Sequence, residues 1–120
     1  MVNSMIPKDG RPALDAVFGA LADPTRRRIV ERLARRPLTI GEIAGGFSIS
    51  QPAISKHVKV LEQAGLLTRE VVGRTHHCRL DPKTMQSAAS WLDAQRRYWN
   101  AALDRLDAHL ARTPRERKRS

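Results

Sequence analysis

The stretch from Thr39 to Ala64 leaves this chain the fewest choices of fold. Thr39 stands three residues ahead of Glu42, the spacing of a reciprocal capping box that starts a helix. Ile40, Ile43 and Ala44 give that helix an inward face, and Gly45-Gly46 ends it. Phe47-Ser48-Ile49 forms a turn. Ser50 then caps a longer helix, Gln51 to Ala64, with Pro52 tolerated in its first turn and Gly65 closing it. Ile54, Val58 and Leu61 recur along it at helical spacing. A short helix, a polar turn and a second capped helix make a helix-turn-helix. The competing arrangement is a plain helical hairpin in a bundle; the agreement of caps, turn and periodicity disfavours it. Leu66 to Val72 then alternates loosely in β-forming residues, Gly73-Arg74 is a tight-turn signal, and Arg74 to Leu80 reads as a second strand. A hairpin directly behind a helix-turn-helix is a wing.

The flanks read as helices. From Pro12 onward, Leu14, Val17, Phe18 and Leu21 form one apolar stripe. Asp23-Pro24 opens the next helix, with Asp as N-cap and Pro in the first helical position. Ile29, Val30 and Leu33 face inward there, and Pro37 stops it. Asp81-Pro82 opens a last helix reaching about Ala111, with Met85, Ala88, Leu92, Trp99, Ala102, Leu103, Leu106 and Leu110 in its stripe and Trp91 and Tyr98 beside it. The expected organisation is a flexible arm (1–11), one winged helix-turn-helix DNA-binding and dimerisation domain (12–111) and a basic, disordered tail (112–120). The fold class is mainly α with a small β-hairpin.

The formal net charge of +10 on 120 residues points to an anionic partner. Six Arg face two acids between Leu21 and Ile40, and five basic residues face Glu116 alone between Arg112 and Ser120. Charge alone does not separate DNA from RNA or an anionic membrane surface. No apolar run approaches the ~18 residues of a membrane span, and no secretory signal opens the chain. Cys78 is the single cysteine, so an intramolecular disulfide and a multi-thiolate zinc site are excluded. These features are those of a cytoplasmic protein.

The outward face of the Gln51–Ala64 helix carries the functional argument. With Ile54, Val58 and Leu61 inward, Pro52, Ala53, Lys56 and Lys59 point away at ~100° per residue. Gln51 lies in the first turn, where a recognition helix meets base edges, and Gln bonds adenine bidentately. Ala53 suits a thymine methyl; Ser50, Ser55, Lys56 and His57 suit phosphates or bases. No acid occurs from Gln51 to Leu61, as a helix entering a polyanion requires. In the wing, Arg69, Arg74, Thr75 and Arg79 supply cations and a hydroxyl, with Arg74 at the tip facing a groove or a phosphate.

Three segments carry a family likeness: Leu21-Ala22-Asp23-Pro24-Thr25-Arg26, Ser50-Gln51-Pro52-Ala53-Ile54-Ser55-Lys56-His57 and Leu61-Glu62-Gln63-Ala64-Gly65-Leu66. They resemble the ArsR/SmtB family of bacterial winged-helix repressors, from about Leu14 to Leu110. The resemblance implies a homodimer joined through its first and last helices, repressing a promoter, often its own. The two outer stripes agree, because they exceed what one small core needs. Leu14, Val17, Phe18, Leu21, Trp91, Tyr98, Trp99, Leu103, Leu106 and Leu110 are the expected interface residues. The operator is then an imperfect palindrome.

Many members of that family sense metals. One class has paired cysteines in the short helix, where this chain has Gly41–Phe47 without a thiol. Another pairs Asp-x-His with His-x-x-Glu in the last helix; only Asp107-Ala108-His109 is present. In His76-His77-Cys78, strand alternation separates His77 from the other two. No metal or other cofactor is expected, and the likeness is to the metal-independent branch. The alternatives are a metal- or thiol-responsive repressor of the same family, through Cys78 oxidation in the thiol case, or an RNA- or protein-binding winged helix. No catalytic constellation has meaningful spacing, so an enzyme is not expected.

Overall fold

The computed structural model describes residues 13–111. The arm 1–11, Pro12 and the tail 112–120 lie outside the described residues. The elements are α1 (Leu14–Ala20), α2 (Pro24–Leu33), β1 (Leu38–Thr39), α3 (Ile40–Ala44), α4 (Gln51–Gln63), β2 (Leu67–Val72), β3 (Thr75–Leu80) and α5 (Pro82–Ala111). They fall into two compact units that divide between Ala88 and Ala89.

The caps form where local chemistry calls for them. Asp23 Oδ2 accepts from the Arg26 backbone N–H at 3.0 Å and starts α2. Thr39 Oγ1 accepts from Glu42 N–H at 3.1 Å, while Glu42 Oε1 accepts from Thr39 N–H at 2.9 Å, so the capping box of α3 is complete. Ser50 Oγ accepts from Ala53 N–H at 3.3 Å at the head of α4. Gly65, with φ of 83°, ends α4 in the left-handed conformation that other residues avoid. Asp81 Oδ1 accepts from Lys83 N–H, and Asp81 N–H donates to Leu66 O at 2.9 Å, which ties the start of α5 to the end of α4.

The first unit closes on one apolar core. Ile29, Val30 and Leu33 of α2 meet Ile43 of α3 and Ile54, Val58 and Leu61 of α4, with Leu66, Leu67 and Cys78 beneath the sheet. Ala88, in the early turns of α5, joins the same cluster. Each large aliphatic side chain buried there contributes about 1.5–3 kcal/mol relative to exposure.

The sheet differs from the expected hairpin in one respect. Its order is β1-β3-β2, all antiparallel. The added strand is two residues long, with Leu38 opposite Cys78 and Thr39 opposite His77. So short a strand carries no period, and its partner lies some forty positions along the chain. Val72 pairs with Thr75 across the Gly73-Arg74 turn. Of these two turn residues only Gly73 has positive φ, 63°, as a type II′ hairpin turn requires of its first central residue.

In the second unit the residues of α5 from Ala89 onward remain helical to Ala111. Asp93 receives both Arg96 and Arg97, at i+3 and i+4. The hydrogen bond from Arg96, then the charges of Arg96 and Arg97, hold the Asp93 carboxyl below the usual carboxylate range. Trp91, Leu92, Tyr98, Trp99, Leu103, Leu106 and Leu110 are exposed. Tyr98 and Trp99 meet edge to face, 5.9 Å apart.

Candidate nucleic-acid interface

Helix α4 displays the expected face. Gln51, Pro52, Lys56 and Lys59 are exposed, and Ala53 and Ser55 are half-buried, while Ile54, Val58 and Leu61 hold the opposite side in the core. Ser50 is exposed, but its hydroxyl already serves as the α4 cap. That bond uses one acceptor lone pair and leaves the Ser50 O–H donor uncommitted. At the wing tip Arg74 and Thr75 are exposed, flanked by Val71 and Val72, also exposed.

His57 sits on the flank of that face and is half-buried. Its side chain is 24% exposed, and Nδ1 faces inward. Arg26 Nη1 lies 3.3 Å from that nitrogen and Asp23 Oδ2 lies 3.9 Å from it. Asp23 is held below its ordinary pKa chiefly by the backbone N–H of Arg26, with the Arg26 charge acting in the same direction.

The arginine block between Leu21 and Ile40 is also more committed than its charge implies. Arg26 Nε–H donates to Ala20 O at 2.6 Å, and Arg27 donates to Leu21 O at 2.9 Å; both serve carbonyls at the end of α1. Arg32 donates to Ile43 O at 2.7 Å and Glu42 O at 3.1 Å, at the end of α3. Arg28 lies over the Phe47 ring, 4.6 Å from its centre. Neutral carbonyls do not cancel a guanidinium's charge, so the positive field survives while the side chains are fixed in place. Nothing in local sequence marks these acceptors, which lie as far as eleven residues away.

In the wing, Arg69 is turned to the inner face rather than outward. It pairs with Glu62 of α4 at 2.5 Å and reaches His76 Nδ1 at 3.4 Å, leaving 18% of its side chain exposed. Arg69 thus tethers the wing to α4, and the exposed cations of the hairpin are Arg74 and Arg79. His77 is exposed, whereas Cys78 is fully buried. Burial pushes the Cys78 thiol above its ordinary pKa, which keeps it protonated and a poor nucleophile.

The expected dimer residues divide. Val17 is completely buried in its own chain's core, which corrects its place at an interface: it has no surface to offer a partner. Phe18 and Leu21 pack partly against that core, and Leu14 is half-buried. The α5 residues Trp91, Tyr98, Trp99, Leu103, Leu106 and Leu110 keep their apolar surface exposed.

This arrangement matches known proteins. Residues 21–70, from the end of α1 into β2, match the family model described as a helix-turn-helix domain. The chain is 44% identical over 89 residues to the HTH-type transcriptional regulator Rv2034 of Mycobacterium tuberculosis, covering 74% of this chain and 80% of that one. It is 35% identical over 79 residues to the transcriptional repressor SdpR of Bacillus subtilis, covering 66% and 88%. A crystal structure of an ArsR family transcriptional regulator superposes with a TM-score of 0.66 at 36% identity, covering 72% of this chain and 90% of that one.

The chain belongs to the ArsR/SmtB family. It is a winged helix-turn-helix DNA-binding transcriptional regulator, with α3 and α4 as the helix-turn-helix and β2–β3 as the wing. Among the described residues, no group of three or more His, Cys, Asp or Glu is placed to hold a metal ion. No helix among them is long and apolar enough to cross a membrane.

Proposed function

We propose that this regulator is a homodimeric, cytoplasmic repressor that occupies an imperfect palindrome, with its own promoter among its targets. The observation that carries the reading is the exposed face of α4. Gln51, Lys56 and Lys59 stand outward on a helix without an acid before Glu62, and the Arg74 tip is exposed beside it in sequence order. Gln51 is suited to an adenine edge, Ala53 to a thymine methyl, and Ser55, Lys56, Lys59, Arg74 and Thr75 to phosphates. Pro52 and Ser50 fix the start of the helix.

A second copy of the chain is the occupant of the exposed α5 stripe. Seven large apolar side chains between Trp91 and Leu110 are more than an isolated helix leaves to water. Pairing two copies sets two recognition helices about 34 Å apart, one turn of DNA. The residue chemistry favours the metal-independent branch: Gly41–Phe47 has no thiol, and the lone cysteine is buried.

Footprinting on DNA from the protein's own promoter, repeated across salt concentrations, tests the reading. A symmetric protected site is expected, with affinity falling steeply as salt rises. Arg74→Ala should weaken all duplexes alike and reduce the salt slope by about 1. Protection without symmetry, or release of the operator by micromolar zinc or arsenite, would overturn the dimeric and metal-independent parts respectively.

A further inference from the structure

Arg26 joins three elements through one side chain. Its Nε–H donates to Ala20 O, the last residue of α1, and its backbone N–H meets the Asp23 cap of α2. Its Nη1 meets His57 Nδ1 on α4 at 3.3 Å. A guanidinium has donors only, so in this contact His57 Nδ1 accepts. A neutral imidazole that accepts at Nδ1 carries its hydrogen on Nε2. No buried side-chain nitrogen or oxygen among the described residues lacks a hydrogen-bond partner. Among the described residues the bond to His57 is at Nδ1, and with no buried side-chain nitrogen left unpaired among them, Nε2 is the edge turned to solvent.

We propose that Arg26 is a positioning residue for DNA recognition: it holds His57 as the Nε2–H tautomer, so that α4 presents one neutral, outward-facing donor to a phosphate oxygen of the DNA. The proposal rests on α4 being the DNA-contacting helix. The groups facing His57 act together. Arg26 occupies the inner nitrogen, Asp23 at 3.9 Å anchors Arg26 through its backbone N–H, and the Ala20 carbonyl fixes the direction of the guanidinium. The end of α1 and the donor on α4 are thereby set by the same side chain. His57 contacts DNA through the edge that Arg26 leaves free, rather than as a freely turning ring.

The test has a spectroscopic arm and a binding arm. Long-range 1H–15N correlation spectra of the free protein at neutral pH should show His57 as the Nε2–H tautomer. Arg26→Met should convert it to a mixture containing Nδ1–H, and Arg26→Lys, which keeps a donor, should restore much of the original pattern. In the binding arm, Arg26→Met should weaken operator binding roughly three- to ten-fold, the worth of one net hydrogen bond. His57→Ala, which removes the donor altogether, should weaken operator binding by a similar factor, and adding Arg26→Met to it should cost nothing more. A doubly protonated or Nδ1–H ring in the parent protein overturns the proposal. So does an equal loss from Arg26→Met in both backgrounds, which would mark Arg26 as a support of the fold alone. Lys56→Ala separates the two readings: if it leaves binding unchanged, α4 is not the contact helix and both fall. If it weakens binding while Arg26 and His57 show no coupling, only this proposal falls.

Discussion

Gly46→Ala tests how the helix-turn-helix is held together. A Cβ at position 46 would stand 2.5 Å from Arg32 Nη1 and 2.9 Å from its Cζ. Backbone strain is not involved, because Gly46 is not among the glycines with positive φ. The guanidinium is the far end of a flexible chain and can swing away, so the collision itself is cheap. The cost lies in what Arg32 leaves behind: its bonds to Ile43 O at 2.7 Å and Glu42 O at 3.1 Å. Fully buried bonds from a charged donor contribute about 1.5–3 kcal/mol each. This pair is partly solvated, so about 1 kcal/mol each is the fitting scale, about 2 kcal/mol together. Alanine stiffens the unfolded chain and returns about 0.4–1 kcal/mol. The expected net loss is about 1–1.5 kcal/mol, or roughly 5–10 °C in Tm for a domain of this size. Urea and thermal unfolding of the single and double variants provide the measurement. In an Arg32→Ala background the new methyl meets no guanidinium, and Gly46→Ala should turn stabilising by about 0.4–1 kcal/mol. Equal destabilisation in both backgrounds would refute the argument that Arg32 is the obstacle.

Three further outcomes are expected. Gln51→Ala should relax base preference at one operator position by roughly 1–3 kcal/mol while leaving non-specific affinity near that of the parent, as read from binding to a panel of single-base operator variants. Leu106→Glu should yield monomers in sedimentation equilibrium and lower palindrome affinity at least about tenfold, because the second half-site is no longer reached through a tethered partner; persistent dimers would place the interface elsewhere. Asp23 and Glu42 both have lowered carboxyl pKa values, each chiefly through a backbone N–H at a helix cap. Their contribution is complete above the ordinary values of 3.8 and 4.5 and is lost as pH falls through the lower folded-state values. Thermal stability should thus drop in acid below that range, and more shallowly in an Asp23→Asn, Glu42→Gln double variant; identical acid profiles would show that neither cap drives the loss.

The exposed face of α4 was legible because its causes are close along the chain. Ser50 caps a residue three positions away, and Ile54, Val58 and Leu61 repeat within one helix, which leaves Gln51, Lys56 and Lys59 only one direction to point. The same locality made the capping box at Thr39, the Asp23-Pro24 start and the Gly73 turn readable. The inward turn of His57 was not legible, because its partners Arg26 and Asp23 come from a different helix.

By itself the sequence determined the helix starts and stops, the hairpin and the polarity of the recognition helix. These rest on steric and hydrogen-bonding preferences that act within about four residues. Only the tertiary structure decided that Leu38-Thr39 adds a strand beside β3, that Val17 and Cys78 are sealed inside, and where each arginine goes. An arginine side chain is long and has five donors, so it can satisfy any acceptor the fold brings within reach. Composition registers its charge, but the choice between an Ala20 carbonyl, an Ile43 carbonyl, a Phe47 ring and open solvent exists only once the helices have packed.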